Sequence, residues 1–293
     1  MNPLTFIGVP IDSVGRDGGT EHGPEALRDL GLPAALGGAD AGDLPVRIRG
    51  EERDAGTGLL GSDDVLASTR TIRAAVAESI GERARPFLAG GCCAELPGAL
   101  AGARDAIGEV GLVHLDGHLD LYDGATSPTG EAADMPISVA LGLGPEAWVE
   151  AAGGAATGAR RTALVGFRDQ EESRGYGMRQ PETLAPPPLL ASGAELRSRG
   201  HAESAAAIAA MLAEQGPFWL HFDVDVLDPA CFPATDYPLG GGFDWDELQA
   251  TLHPLLSSKR LAGASLACYN PDKDPHRDCG VALVEVLAAG CRA

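Results

Sequence analysis

The sequence predicts an α/β fold in one domain spanning residues 1–293, built as three layers with a mostly parallel sheet between two sets of helices. Three observations predict it. Short apolar runs alternate with stretches of helical period along the chain, the pattern of successive βα units. Two of those runs, in Leu112–Asp123 (LVHLDGHLDLYD) and Phe218–Pro229 (FWLHFDVDVLDP), lead straight into acids, as strands do when their C-terminal ends open on a crevice. Hydrophobic residues make up 44% of the 293, enough for a core of the size such a sheet needs.

Taken in order, Thr5–Pro10 reads as the first strand, followed by a Gly/Asp-rich loop over Asp12–Gly23. Gly23-Pro24 opens a helix, with proline in the first turn where its missing N–H costs nothing. Arg28 on that helix reads as a solvated or capping residue. Val46–Arg49 is expected to be a short strand. Ser62–Ile80 is a helix, with Ser62 as cap, Val65, Ile72, Val76 and Ile80 on one face, and Gly81 following. Pro86–Ala89 is a brief strand feeding Gly90-Gly91-Cys92-Cys93, and Glu95–Ala103 resumes a helical pattern. Gly111–Leu115 is a central strand, Asp123–Asp134 a polar loop, and Met135–Leu143 helical. Thr162–Phe167 is a buried strand ending in Arg168-Asp169. Pro181–Leu190, with its run of prolines, reads as a rigid surface connection. Glu203–Gln215 and Asp244–Leu256 are helices, the second capped by Asp244. Leu261–Ala267 is a late strand and Val281–Ala289 the closing helix. No internal repeat is present.

Net charge is −20, which argues against nucleic acid and anionic membrane as partners. No apolar stretch has the length of a membrane span, and the Met1 region has no basic segment followed by a long apolar run. Six cysteines in 293 residues do not make a disulfide framework. A soluble, cytoplasmic protein is expected. No Gly-x-Gly-x-x-Gly follows the first strand, so dinucleotide binding is disfavoured.

Asp116, His118 and Asp120 recur at every second position, which on an extended segment directs all three to one side. Asp223 and Asp225 repeat the spacing. Ionised groups are costly to bury without partners, and four carboxylates in one cleft repel unless cations lie between them. Oxygen-rich ligands with one imidazole suit Mn²⁺ better than a tetrahedral zinc site, with Zn²⁺ left open, and bridging carboxylates point to two divalent ions.

These segments resemble the motifs of the ureohydrolases: arginase, agmatinase, formiminoglutamase and their relatives. The family's Gly-Gly-Asp-His, Asp-Ala-His-x-Asp and Ser-x-Asp-x-Asp-x-x-Asp-Pro correspond to Gly90-Gly91-Cys92-Cys93, Asp116-Gly117-His118-Leu119-Asp120 and His221 through Pro229. The similarity runs from about Phe6 to the last helix and implies an arginase-like fold. It implies that Asp116 and Asp223 bridge two ions, that Asp120 serves the first and that His118 and Asp225 serve the second. Asp120 is also placed to accept a hydrogen bond from the activated water. It further implies a small-molecule substrate and a homo-oligomer, trimer or hexamer.

Three positions depart from the pattern. Cys93 replaces a histidine ligand; a thiolate there adds negative charge and a softer donor, which opens the site to Zn²⁺ or Fe²⁺, with Cys92 the alternative contact. The family's loop histidine falls on Ala133, leaving Glu131 and Asp134 as the acid/base candidates. Cys268 stands where a glutamate grips guanidinium, and a neutral thiol cannot form that charge-assisted pair. Cys268 and His221 are therefore the candidate substrate contacts. Ordinary arginase or agmatinase activity is disfavoured. The expected activity is hydrolysis of a C–N bond in a modified guanidino, formimino or amide compound. The alternative is a non-catalytic relative that binds or regulates.

Overall fold

The computed structural model describes residues 3–291; the Met1 start discussed above lies outside them. Eight strands form one sheet: β1 (Leu4–Val9), β2 (Ala39–Asp43), β3 (Arg85–Gly90), β4 (Gly111–Leu115), β5 (Thr162–Val165), β6 (Leu189–Ala191), β7 (Phe218–Asp223) and β8 (Leu261–Ala267). Their order is β2-β1-β3-β8-β7-β4-β5-β6, and every neighbouring pair is parallel. Helices cover both faces, which is what a parallel sheet requires because each crossover crosses a face.

The helices in chain order are α1 (Gly23–Asp29), α2 (Leu32–Ala35), α3 (Ser62–Gly81), α4 (Leu96–Ile107), α5 (Pro136–Ala140), α6 (Glu146–Ala151), α7 (Gln170–Gly175), α8 (Gly193–Arg199), α9 (His201–Gln215), α10 (Trp245–Leu256) and α11 (Asp278–Cys291). The period of two in the strands sorts the core into halves. Phe6, Phe87, Val113 and Leu220 lie with α9, α10 and α11. Ile7, Leu88, Leu112 and Trp219, one residue along in each strand, lie with α3, α4 and α6. No helix among the described residues is long and apolar enough to cross a membrane.

Several boundaries differ from the sequence reading. Val46–Arg49 is not a strand, although Val46 and Ile48 are buried in the core under α3. The edge strand is instead Ala39–Asp43, an exposed Ala-Asp-Ala-Gly-Asp run with no apolar signal. Arg28 secures it, with Nε 2.7 Å from Asp40 Oδ2, Nη2 bonded to Asp43, and the guanidinium 5.2 Å above the Phe6 ring. Arg28 is thus a clamp on the sheet edge, not a solvated or capping residue. The opposite edge, β6, lies at the end of the proline-rich Pro181–Leu190 segment and was also missed. Helix α3 is capped by Gly61, not Ser62. Gly61 adopts φ 53, and a Cβ there would meet the Ile48 side chain and Arg49 O at 3.0 and 3.1 Å. The Asp244 cap is present, as a reciprocal box with Glu247.

The sheet order decides where chemistry can occur. β3 and β4 are consecutive in sequence, yet β8 and β7 fill the space between them. The C-terminal ends of β3, β8, β7 and β4 therefore border one crevice where the winding reverses.

Candidate metal centre

Each of these four strand ends delivers its side chains through a turn. β4 stops at Leu115. Asp116 N–H continues the ladder to Val165 O at 3.0 Å, and Asp116 Oδ1 then accepts from His118 N–H at 2.7 Å. Gly117 allows the turn, since a Cβ there would lie 2.9 Å from Asp225 O and from Arg168 Nη1. Asp120 has φ 49, a left-handed conformation unusual for a non-glycine residue. The convergence of Asp116, His118 and Asp120 therefore comes from a turn beyond the strand, not from the extended alternation expected. β7 behaves alike: Asp223 Oδ1 accepts from Asp225 N–H at 2.8 Å across a 3₁₀ turn over Val224–Val226.

The side chains form one buried cluster. Cys93 Sγ lies 2.8 Å from Asp223 Oδ2, 3.9 Å from Asp116 Oδ2 and 3.8 Å from Cys268 Sγ. His118 Nδ1 lies 2.9 Å from Asp225 Oδ2 and 3.6 Å from Asp116 Oδ1. Among the described residues, four donor sets, Cys93–Asp223–Cys268, Cys93–Asp116–His221, His114–Asp116–Asp120 and Asp116–His118–Asp225, each hold their ligand atoms within 4.8 Å of one another. Cys92 is in none of them. It is buried in the apolar core and senses Asp12 and Ser13 instead, with burial pushing its thiol well up.

Two histidines lie beneath the cluster. His114 and His221 are paired in register on β4 and β7 and stack with ring centroids 5.4 Å apart. His114 Nε2 is 3.1 Å from Asp116 Oδ2 and 3.6 Å from Asp120 Oδ2. The sequence reading missed His114. Its signal is a histidine two residues before Asp116, but inside an apolar run it reads as strand interior. His221 Nδ1 is 2.8 Å from Ser265 Oγ and Nε2 is 3.2 Å from Cys93 Sγ. Trp219 Nε1 can only donate, and it does so to Ser265 Oγ at 2.9 Å. His221 is thus held between Ser265 on one side and Cys93 on the other. Burial, with the neighbouring His114, holds His221 down to about 3, so this imidazole is neutral. Offered above as a substrate contact, His221 is fully buried behind Cys93 and does not line the cleft.

The electrostatics show a donor set built around positive charge. Burial and then Asp116 push Asp120 up to about 8. Burial and the neighbouring acids raise Asp223 and Asp225, and burial raises the Cys93 thiol well above its usual range. Burial would raise Asp116 as well, but His114 and His118 outweigh it and hold this carboxyl well below. Against burial, Asp116 and Asp120 draw His114 up to about 10. Neither ring nitrogen of His114 has a hydrogen-bond partner of good geometry. A group of buried acids and a thiol that ionise only with difficulty, with an under-satisfied imidazole beside them, fits divalent cations.

Above the cluster lies a cleft of ≈ 450 Å³ whose walls include Tyr122, Thr129, Asp134, Asp169, Tyr237 and Cys268. Asp134 accepts from Ser127 Oγ and, at 2.7 Å, from Thr129 Oγ1; burial raises it. Glu131 is buried just behind the wall and accepts from Ser13 Oγ at 3.3 Å and from Tyr237 O–H. It reaches the cleft through Tyr237. Ala133, where the expected histidine is missing, also lines the cleft. Asp169 was not singled out from the sequence. It is buried, one of its oxygens is unpartnered, and burial, opposed by His118, brings it up to about 6. Arg168 beside it donates to Asp225 O at 2.7 Å and Leu239 O at 2.8 Å, which ties the loop after β7 to the cleft wall.

Comparison with known proteins matches the chain to one family. A sequence profile of the arginase family covers residues 2–290. The arginase of Bacillus caldovelox is 25% identical over 297 residues, covering 99% of this chain and 98% of the relative. An N(omega)-hydroxy-L-arginine amidinohydrolase of Streptomyces lavendulae is 30% identical over 207 residues, covering 70% and 68%. The solved structure of the Bacillus caldovelox arginase superposes with a TM-score of 0.88 at 24% identity, covering 100% of this chain and 99% of the other.

Proposed function

Because this chain belongs to the arginase family, we propose that it is a metal-dependent hydrolase that cleaves a C–N bond at a planar carbon of a modified guanidino, formimino or amide compound, using two divalent ions. The observation that carries this reading is the convergence of Cys93, Asp116, His118, Asp120, Asp223 and Asp225 on the floor of one cleft. When bound, the two ions supply Lewis-acid polarisation of the substrate and a water acidified enough to act near neutral pH. Asp116, His118 and Asp225 would hold one ion, of the kind Mn²⁺ represents. Cys93, Asp223, Asp116 and Asp120 are the residues that would hold the other.

The remaining residues have assignable roles. Asp120 would help hold an ion and would accept a hydrogen bond from the attacking water. Asp134, which accepts from Ser127 and Thr129 on the cleft wall and is raised by burial, is the group placed to pass a proton to the leaving nitrogen. Glu131 positions Tyr237. Cys268 supplies no carboxylate for a free guanidinium, which moves the reading away from arginine or agmatine themselves. The likeness to the Streptomyces lavendulae N(omega)-hydroxy-L-arginine amidinohydrolase supports testing N-hydroxyguanidines first.

The test combines metal analysis with a screen of N-hydroxyguanidino, formimino and amide compounds. Two divalent ions per chain and turnover of one of these classes are expected. Asp134→Asn should lower kcat by about 10²–10⁴-fold with the metal content unchanged. A protein that binds no divalent ion and turns over none of the compounds would refute the hydrolase. It would favour a non-catalytic binding relative, the reading to which Ala133 and Cys268 lean.

A further inference from the structure

We propose that Cys268 is a second thiolate ligand, so that Cys93, Cys268 and Asp223 make the inner metal position zinc-selecting, while Asp116, His118 and Asp225 make the outer one a harder site. This rests on the reading that the cluster holds divalent ions, and it removes Cys268 from the substrate contacts.

The geometry carries it. Cys93 and Cys268 follow the ends of adjacent strands, β3 and β8. The two strand ends are held together by Cys268 N–H donating to Gly91 O at 2.9 Å. Cys268 adopts φ 69, a conformation that non-glycine residues avoid and that clusters at functional sites. The two sulfurs are 3.8 Å apart. Two thiolates on one tetrahedral zinc ion, at Zn–S of about 2.3 Å, are also separated by roughly 3.8 Å. Asp223 Oδ2 completes a triangle with them, all three atoms lying within 4.8 Å of one another. Behind the sulfur, His221 Nε2 lies 3.2 Å from Cys93 Sγ, a buried polar contact to the thiol from the side away from the cleft. Sulfur donors select zinc over manganese, whereas two carboxylates and an imidazole do not. The centre is therefore graded from soft, under β3 and β8, to hard, under β4.

Two experiments on the full chain test this. Co²⁺ titrated into metal-free protein should give thiolate-to-cobalt charge-transfer absorption. About half of that intensity should be lost in Cys268→Ser and a similar share in Cys93→Ser, and the intensity should be retained in Asp225→Asn. Zinc affinity should fall by at least about tenfold in Cys268→Ser. In unsubstituted protein, iodoacetamide labelling followed by peptide mass spectrometry should find Cys268 protected by Zn²⁺ and released by chelator. Equal labelling of Cys268 with and without Zn²⁺, or an unchanged cobalt spectrum in Cys268→Ser, overturns the second thiolate and leaves the two-ion hydrolase standing. Absence of any Co²⁺ binding overturns both.

Discussion

At the scale of single residues, the site is defined as much by what supports the ligands as by the ligands. Ser265 is the clearest case. It is enclosed between Trp219 and His221, bonds to both, and so fixes the ring that faces Cys93. Replacing it by alanine leaves a buried indole N–H and a ring nitrogen without partners. Such groups cost about 1–3 kcal/mol. Ser265→Ala should therefore lower the urea-unfolding free energy by that amount with an unchanged m-value, and a change within experimental error would show that the network carries no weight. The acids were legible in the sequence because charged groups directly after apolar strands have no simple packing role, whereas Cys93 was legible only through the resemblance of Gly90-Gly91-Cys92-Cys93 to a family motif. His114 and Asp169 were not. A histidine in a strand interior and an aspartate after an arginine have ordinary explanations, and their positions against Asp116 and His118 depend on register and turns that no spacing rule supplies.

At the scale of elements, the pairing of α3 with α4 shows how close packing places the first ligand. α4 begins just after Cys93, and its glycines face α3. A Cβ on Gly98 would sit 2.8 Å from Thr69 O, and one on Gly102 2.4 Å from Arg73 O and 2.8 Å from Val76 Cβ. The helices therefore approach at backbone distance. Gly102→Ala should force them apart and destabilise the protein by about 1–3 kcal/mol, despite alanine's better helix propensity; thermal unfolding would show it, and a stabilised variant would contradict the packing. The central strands and long helices were legible because burial on both faces and a steady period leave a clear signal. The two edge strands were not. β2 is a polar, exposed run held by Arg28, and β6 is only Leu189–Ala191, so each depends on its neighbour for being a strand at all.

At the scale of the whole molecule, the fold gathers acids from distant parts of the chain into one buried place, and cations should decide its stability. The sign can be worked out for the metal-free protein. Asp120, brought up to about 8, and Asp169, brought up to about 6, stand above their ordinary value of 3.8. The folded state then binds more protons than the unfolded one between these limits. Their contribution is fully present below about pH 4 and is lost as pH rises through about 6 and 8. Chelator-treated protein should accordingly lose stability over that range. Divalent metal should restore it, by about 4 kcal/mol when free metal is a thousandfold above Kd. Equal melting temperatures with metal and with chelator at pH 8 would count against a metal centre.

The sequence by itself determined that the chain forms a layered α/β structure, which strands are central, and that the ends of two of them carry a cluster of acids needing cations. These follow from local patterns: apolar period, turn residues, and the cost of leaving charges buried. Only the tertiary structure decided that β8 and β7 insert between β3 and β4, so that Cys93, Cys268, Asp223 and Asp116 share one crevice. It alone brought His114 and His221 together beneath them. The reason is physical. Strand order and register are settled by how the whole apolar surface is covered, and residues more than a hundred positions apart meet only once that packing is complete.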